Sequence, residues 1–63
     1  MTTLTYLDDE MNVTTVNIIV VEQAYIRPPY DKHIRTVETY GGCWELWNID
    51  GHVCGYFEEA DDE

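Results

Sequence analysis

Between residues 13 and 26 the even positions Val16, Ile18, Val20, Ala24 and Ile26 form an apolar face broken only by Glu22. Alternation with period two marks a half-buried strand, and the Val, Ile and Thr concentration over residues 13–25 favours strand over helix. The odd positions Ile19 and Val21 are apolar too, which places part of this strand under cover on both faces. A helix within residues 14–24 is the main alternative, since a continuous apolar run does not settle its own period. Residues 2–7 read as a strand running into the acidic turn at Asp8. Pro28 and Pro29 cannot donate to a ladder, so residues 25–32 read as a loop, and residues 33–40 resume a strand. Gly41-Gly42 fits a two-residue hairpin turn, and Asp50-Gly51 fits a type I′ turn, which needs positive φ at both central positions. Residues 43–49 and 52–58 are the strands joined by the second turn. The fold expected is mainly β: one domain over residues 1–63, with a small antiparallel sheet of four to five strands and hairpins at 41–42 and 50–51.

The turn at 50–51 fixes a register. Ile49 pairs with His52, Asn48 with Val53, Trp47 with Cys54, Leu46 with Gly55, Glu45 with Tyr56 and Trp44 with Phe57. One face then carries Trp44, Leu46, Val53 and Phe57, a core face, and the other carries Cys43, Glu45, Trp47, His52, Cys54, Tyr56 and Glu58. The same construction across Gly41-Gly42 sets Val37 opposite Leu46 and Glu38 opposite Glu45. Like charges directly opposed are unfavourable, so either a bulge shifts this register or a partner uses the acidic face.

Charge sharpens the picture. Thirteen Asp and Glu face three Lys and Arg, for a formal net charge of −10. All three cations, Arg27, Lys32 and Arg35, lie within residues 27–35, which sum to +2. Two acidic runs stand out: Asp8-Asp9-Glu10, and the tail from Glu58 to Glu63, expected to fray over residues 59–63. Such a balance excludes ordinary phosphate neutralisation of nucleic acid and argues against docking on an anionic membrane. No apolar run approaches the ~20 residues of a membrane span, and the first four residues lack the basic start of a secretory signal. Self-repulsion destabilises a compact domain, and a 63-residue chain already buries only about 60% of its unfolded surface. A return on that cost is therefore expected.

Catalytic and metal chemistry is not legible. Cys43 and Cys54 share a face but lie four residues apart along paired strands, roughly 13 Å, beyond the ~4.4–6.8 Å reach of a disulfide. Both are expected as free thiols, as in a reducing cytoplasm. His33, His52, Cys43 and Cys54 match no zinc-ligand spacing, and Asp8-Asp9-Glu10 lacks the alternation and glycine of a calcium loop. Serine is absent, and neither cysteine has the electropositive setting of a nucleophile. No enzyme, cofactor or metal is expected.

Eight aromatic rings remain. Trp44 and Phe57 fall on the core face, whereas Trp47, Tyr56 and Tyr40 fall beside carboxylates, where aromatic residues anchor interfaces. The candidate partner-binding residues are thus Asp8, Asp9, Glu10, Glu38, Glu45, Trp47, Tyr56 and Glu58. At a width of about 27 Å, the domain spans a length of duplex that carries about 16 phosphates, within a factor of two of its own charge.

In length, acidic excess (Asp8-Asp9-Glu10, Glu58-Glu59), absence of a catalytic motif and single β-rich domain, the whole chain resembles the small, acidic, phage-encoded anti-CRISPR proteins and other DNA-mimicking phage inhibitors. The resemblance is one of character and carries no residue-by-residue correspondence. It implies an inhibitor in the host bacterial cytoplasm that binds a basic surface, such as a CRISPR effector complex, and blocks target DNA. The alternative is a β-sheet interaction module, an adaptor or antitoxin-like partner pairing through a strand edge or its aromatic face, whose acidity serves solubility. Carboxylates gathered on contiguous faces favour the first reading, and an even scatter favours the second.

Overall fold

The computed structural model describes residues 2–60. Five strands follow in order: β1 (Thr2–Leu7), β2 (Val13–Val20), β3 (Lys32–Thr39), β4 (Gly42–Ile49) and β5 (His52–Glu59), with one 3₁₀ turn, Gln23–Tyr25, after β2. Residues 14–20 are strand, so the helix alternative is excluded. The sheet is ordered β1-β2-β5-β4-β3. Three of its pairings are antiparallel, as expected, but β2 meets β5 in parallel through Ile19 with Cys54 and Val20 with Gly55. The sheet is therefore mixed. The parallel pair follows from the long crossover of residues 21–31, which carries the chain past β5 and β4 to the far edge.

All six pairings derived for β4 and β5 are present. Asp50 and Gly51 both take positive φ, 54° and 84°, as a type I′ turn requires. The other hairpin turns one residue earlier than expected. Thr39 pairs with Gly42, leaving Tyr40-Gly41 as the turn, and Val37 pairs with Trp44 rather than Leu46. The two glycines serve different ends. Gly41 supplies a φ of 88°, whereas Gly42 lies in β4, where a Cβ would run into the Glu58 carbonyl oxygen of β5. The new register is offset by two residues, so the side chains from Arg35 to Thr39 keep their expected faces. It sets Glu38 across from Cys43 and Thr36 across from Glu45, which removes the opposed glutamates.

The core lies on the inner face, where Leu4, Ile18, Val37 and Leu46 are buried and Tyr6, Val16, Trp44 and Val53 pack against them. Trp44 and Phe57 rings meet at 5.6 Å, but Phe57 stays 41% exposed. Ile19 is 42% exposed, so β2 is not covered on both faces. Core residues from β1 through β3 meet one another, which requires the sheet to curl until its two edges face. The guanidinium of Arg35 on β3 lies over the Tyr6 ring of β1, 4.7 Å from its centroid. At the chain's end, Glu59 belongs to β5, and the Ala60 N–H donates to the Gly41 carbonyl at 2.8 Å. Residues 59 and 60 are therefore not frayed. Asp61, Asp62 and Glu63 lie outside the described residues.

Candidate functional site: an acidic and aromatic outer face

A bulge in β3 organises the outer face. Between His33, paired with Trp47, and Arg35, paired with Leu46, the register slips past Ile34. Simple alternation would put His33 and Arg35 on one face. The extra residue instead turns His33 outward and Arg35 inward, an effect bulges are known for. Lys32-His33-Ile34-Arg35 shows no alternation of its own, and that is the only trace the bulge leaves in the sequence.

Three strands then present their outward side chains in rows. Nearest the Tyr40-Gly41 turn stand Glu38, Cys43 and Glu58; the next row is Thr36, Glu45 and Tyr56; beyond it lie His33, Trp47 and Cys54. Five expected residues, Glu38, Glu45, Trp47, Tyr56 and Glu58, are thus brought together. By parity Lys32 and Arg35 fall on the inner side, so among the described residues no lysine or arginine extends from these rows.

The carboxylates are not equivalent. Glu45 is 19% exposed, and its Oε1 accepts from Thr36 Oγ1 at 2.6 Å and lies 2.7 Å from His33 Nε2. Burial alone would raise this carboxyl, but the Thr36 and His33 hydrogen bonds outweigh it and hold the group below its ordinary value. Neither Thr36 nor His33 was expected beside Glu45 from the sequence, because both contacts depend on the shifted turn and the bulge. Glu38 and Glu58 are exposed on either side of Cys43, with their backbones two strand spacings apart, about 9.6 Å. Glu59 joins them at a hollow around the Tyr40-Gly41 turn. His33 also stacks edge-on against Trp47, centroids 5.1 Å apart. The Trp47 indole N–H is enclosed and meets no acceptor among the described residues.

Both cysteines are free. Burial, then the neighbouring Glu45, Glu58 and Glu38, pushes the Cys43 thiol up, and burial raises that of Cys54. Cys43 Sγ and one oxygen each of Glu45 and Glu58 lie within 4.8 Å of one another, so these three could ligate a cation. His52 and Cys54 stand elsewhere on the sheet, and the four-ligand zinc set of the sequence does not assemble.

Asp8, Asp9 and Glu10 occupy the β1–β2 turn, apart from these rows. Asp8 Oδ1 accepts from the Glu10 and Asn12 amides at 2.9 and 2.8 Å. The Asn12 bond above all holds this carboxyl low, against the opposing effect of burial. Asp9 reaches Arg35 Nη2 at 3.2 Å, and Glu10 is exposed. Asp8 and Asp9 therefore have local work: the first closes a turn in which Met11 takes a φ of 67°, and the second ties that turn to β3.

Among the described residues, no helix is long and apolar enough to cross a membrane. No family model, curated protein or solved structure matches the chain.

Proposed function

We propose that the protein is a non-enzymatic acidic inhibitor that binds a basic, nucleic-acid-binding surface of a protein partner in the bacterial cytoplasm, with a CRISPR effector complex as the target the overall resemblance suggests. The observation that carries this reading is the concentration of Glu38, Glu45 and Glu58 around Trp47 and Tyr56 in outer-face rows to which, among the described residues, no lysine or arginine contributes. Glu38 and Glu58 offer exposed charge on fixed strands, which lose little freedom on binding. Glu45 adds to the field from a largely covered position. Trp47 and Tyr56 supply apolar area of the kind that anchors interfaces. The long axis is 32 Å, a length over which duplex DNA carries about 19 charges, so a net charge of −10 gives about half that density.

Non-enzymatic action is supported by the state of the cysteines. A nucleophilic thiol needs its pKa lowered, whereas Cys43 sits among carboxylates that raise it.

The test is target-DNA binding by purified CRISPR effector complexes with and without the protein, followed by its dissociation constant at several salt concentrations. Binding should weaken steeply with salt, since exposed charges are screened over ~8 Å at physiological ionic strength, and DNA should compete. The Glu38→Gln/Glu58→Gln double variant should bind ~10-fold or more weakly with a shallower salt slope, while Trp47→Ala should lose affinity with the slope unchanged. Binding that is flat in salt and indifferent to DNA would reject the inhibitor reading in favour of an interaction module.

A further inference from the structure

The sheet ends in two unpaired edges that face each other. β1 and β3 are its outermost strands, and among the described residues no ladder joins them. Between them runs a groove of about 410 Å³, lined by residues 5–7 of β1 and 35–38 of β3. Both walls are runs of consecutive residues, so each presents main chain as well as side chains. The edges differ in their protection. β3 carries a bulge and two cations, common devices against strand addition. β1 has neither bulge, proline nor charge along Thr2–Leu7, and its Thr, Leu and Tyr content suits a ladder.

Arg35 crosses the groove, and its Nε is enclosed without an acceptor among the described residues. The rim is acidic: Asp9 stands at Arg35, and Glu38 stands three residues further along β3, about 10 Å away.

We propose that this groove receives an extended, cationic segment of a partner polypeptide as an added strand between β1 and β3. Its backbone bonds to both edges, and its lysines or arginines meet Asp9 and Glu38. A second copy of the chain is disfavoured as occupant, because each copy brings a net −10 and its uncharged strand β1 offers nothing to the acidic rim. The proposal does not rest on the outer-face reading.

The probe is a blocked hexapeptide alternating lysine and valine, titrated into the isotopically labelled protein and followed by amide NMR. Saturable shifts centred on residues 5–7 and 35–38 are expected by ~1 mM, together with slowed amide exchange in β1. An inserted strand bonds on both sides, so N-methylation of either alternate set of peptide amides should weaken binding ~10-fold. Glu38→Gln should weaken it several-fold with circular dichroism retained, whereas Glu22→Gln, on the crossover, should leave it unchanged. The methylated peptides decide the matter independently on the wild-type protein. Any of four results overturns the proposal: no saturable shift, shifts centred on the outer-face rows, equal binding of a methylated peptide, or dimerisation through these edges by sedimentation.

Discussion

On the β1–β2 hairpin the outward positions include Thr3, Thr5, Thr15 and Asn17; on β3, β4 and β5 they include Glu38, Cys43, Glu45, Trp47, Tyr56 and Glu58. Both sets lie on the same side of one sheet. On the hairpin, polar groups answer one another across the strands: Thr3 Oγ1 donates to Asn17 Oδ1 at 2.9 Å, and the Thr5 and Thr15 hydroxyls lie 3.1 Å apart. That surface is neutral and self-satisfied. The three-stranded region instead keeps Glu38 and Glu58 exposed around a thiol, spends His33 and Thr36 on Glu45, and sets two large rings beside them. A chain that needed acidity only for solubility would have no reason to leave the hairpin face bare of it. Under the proposed function, one region is scaffold and the other contact surface.

The most severe way to break this division is at the seam. The β2–β5 ladder is two residue pairs long and is extended by the Val21 N–H donating to the Gly55 carbonyl, and Gly55 lies at that junction with β4 on its other side. A Cβ there would stand 3.0 Å from the Glu45 carbonyl oxygen and the Leu46 side chain, and 3.3 Å from Ile18. Gly55→Val should therefore cost about 2–3 kcal/mol through overpacking, a large share of the roughly 3–9 kcal/mol expected for a domain of this size. An isolated hairpin is at best marginal, so both halves should melt together in urea, with the midpoint lowered. A hairpin that survived on its own would show that the regions are independent domains in miniature.

A smaller effect should come from Thr36→Val, which removes one of the two contacts on Glu45 Oε1. Because the folded-state pKa of Glu45 is depressed, its contribution is fully present above the ordinary glutamate value and lost as pH falls through the folded value. The variant should be about 0.5–1 kcal/mol less stable at pH 7, and the gap should close as pH falls through the depressed folded value. NMR titration should show the Glu45 pKa raised in the variant. A gap constant with pH would mean that Thr36 acts through packing rather than through the carboxylate.

How far this division could be read from the chain depended on local turn chemistry. Asp50-Gly51 states its turn type outright, and from it the β4–β5 register and both its faces follow, including the grouping of Glu45, Trp47, Tyr56 and Glu58. Gly41-Gly42 misleads by one residue because a glycine needed for close approach of β5 looks the same as one needed for positive φ. The bulge at Ile34 is set by long-range partners, Arg35 reaching Tyr6 and Asp9, and His33 reaching Glu45 and Trp47. No local pattern encodes those contacts. The parallel seam and the facing edges are likewise products of the curl, which emerges only when Leu4, Ile18, Val37 and Leu46 share one core.

Charge relief should separate the regions next. Glu38→Gln/Glu58→Gln removes two exposed carboxylates with no cation beside them, so self-repulsion should fall. At low salt the melting temperature should rise by about 1–3 °C, and the gain should shrink as salt is added. Both carboxylates also help to keep the Cys43 thiol high, after burial and Glu45. Alkylation of Cys43 at pH 8 should accordingly be faster in the variant, with Cys54 as the internal reference. A stability loss instead would assign these residues a structural duty and weaken the case for a contact surface.

The smallest effect is expected on the hairpin. Thr5 and Thr15 are exposed, directly paired, and joined through their hydroxyls. Replacing both with valine removes one exposed hydrogen bond but keeps the branched shape that suits a strand, and it leaves no buried group unpaired. The net change in stability should stay within about 0.5 kcal/mol of zero. Partner affinity and its salt slope should be unchanged, because no charge is altered and the substituted pair, on β1 and β2, lies outside the acidic rows of β3, β4 and β5. Thermal melts and the salt-dependent dissociation constant would be measured beside Glu38→Gln/Glu58→Gln. An affinity loss in the threonine variant equal to that of the double glutamine variant would place the contact surface across the whole outer face and dissolve the distinction between its halves.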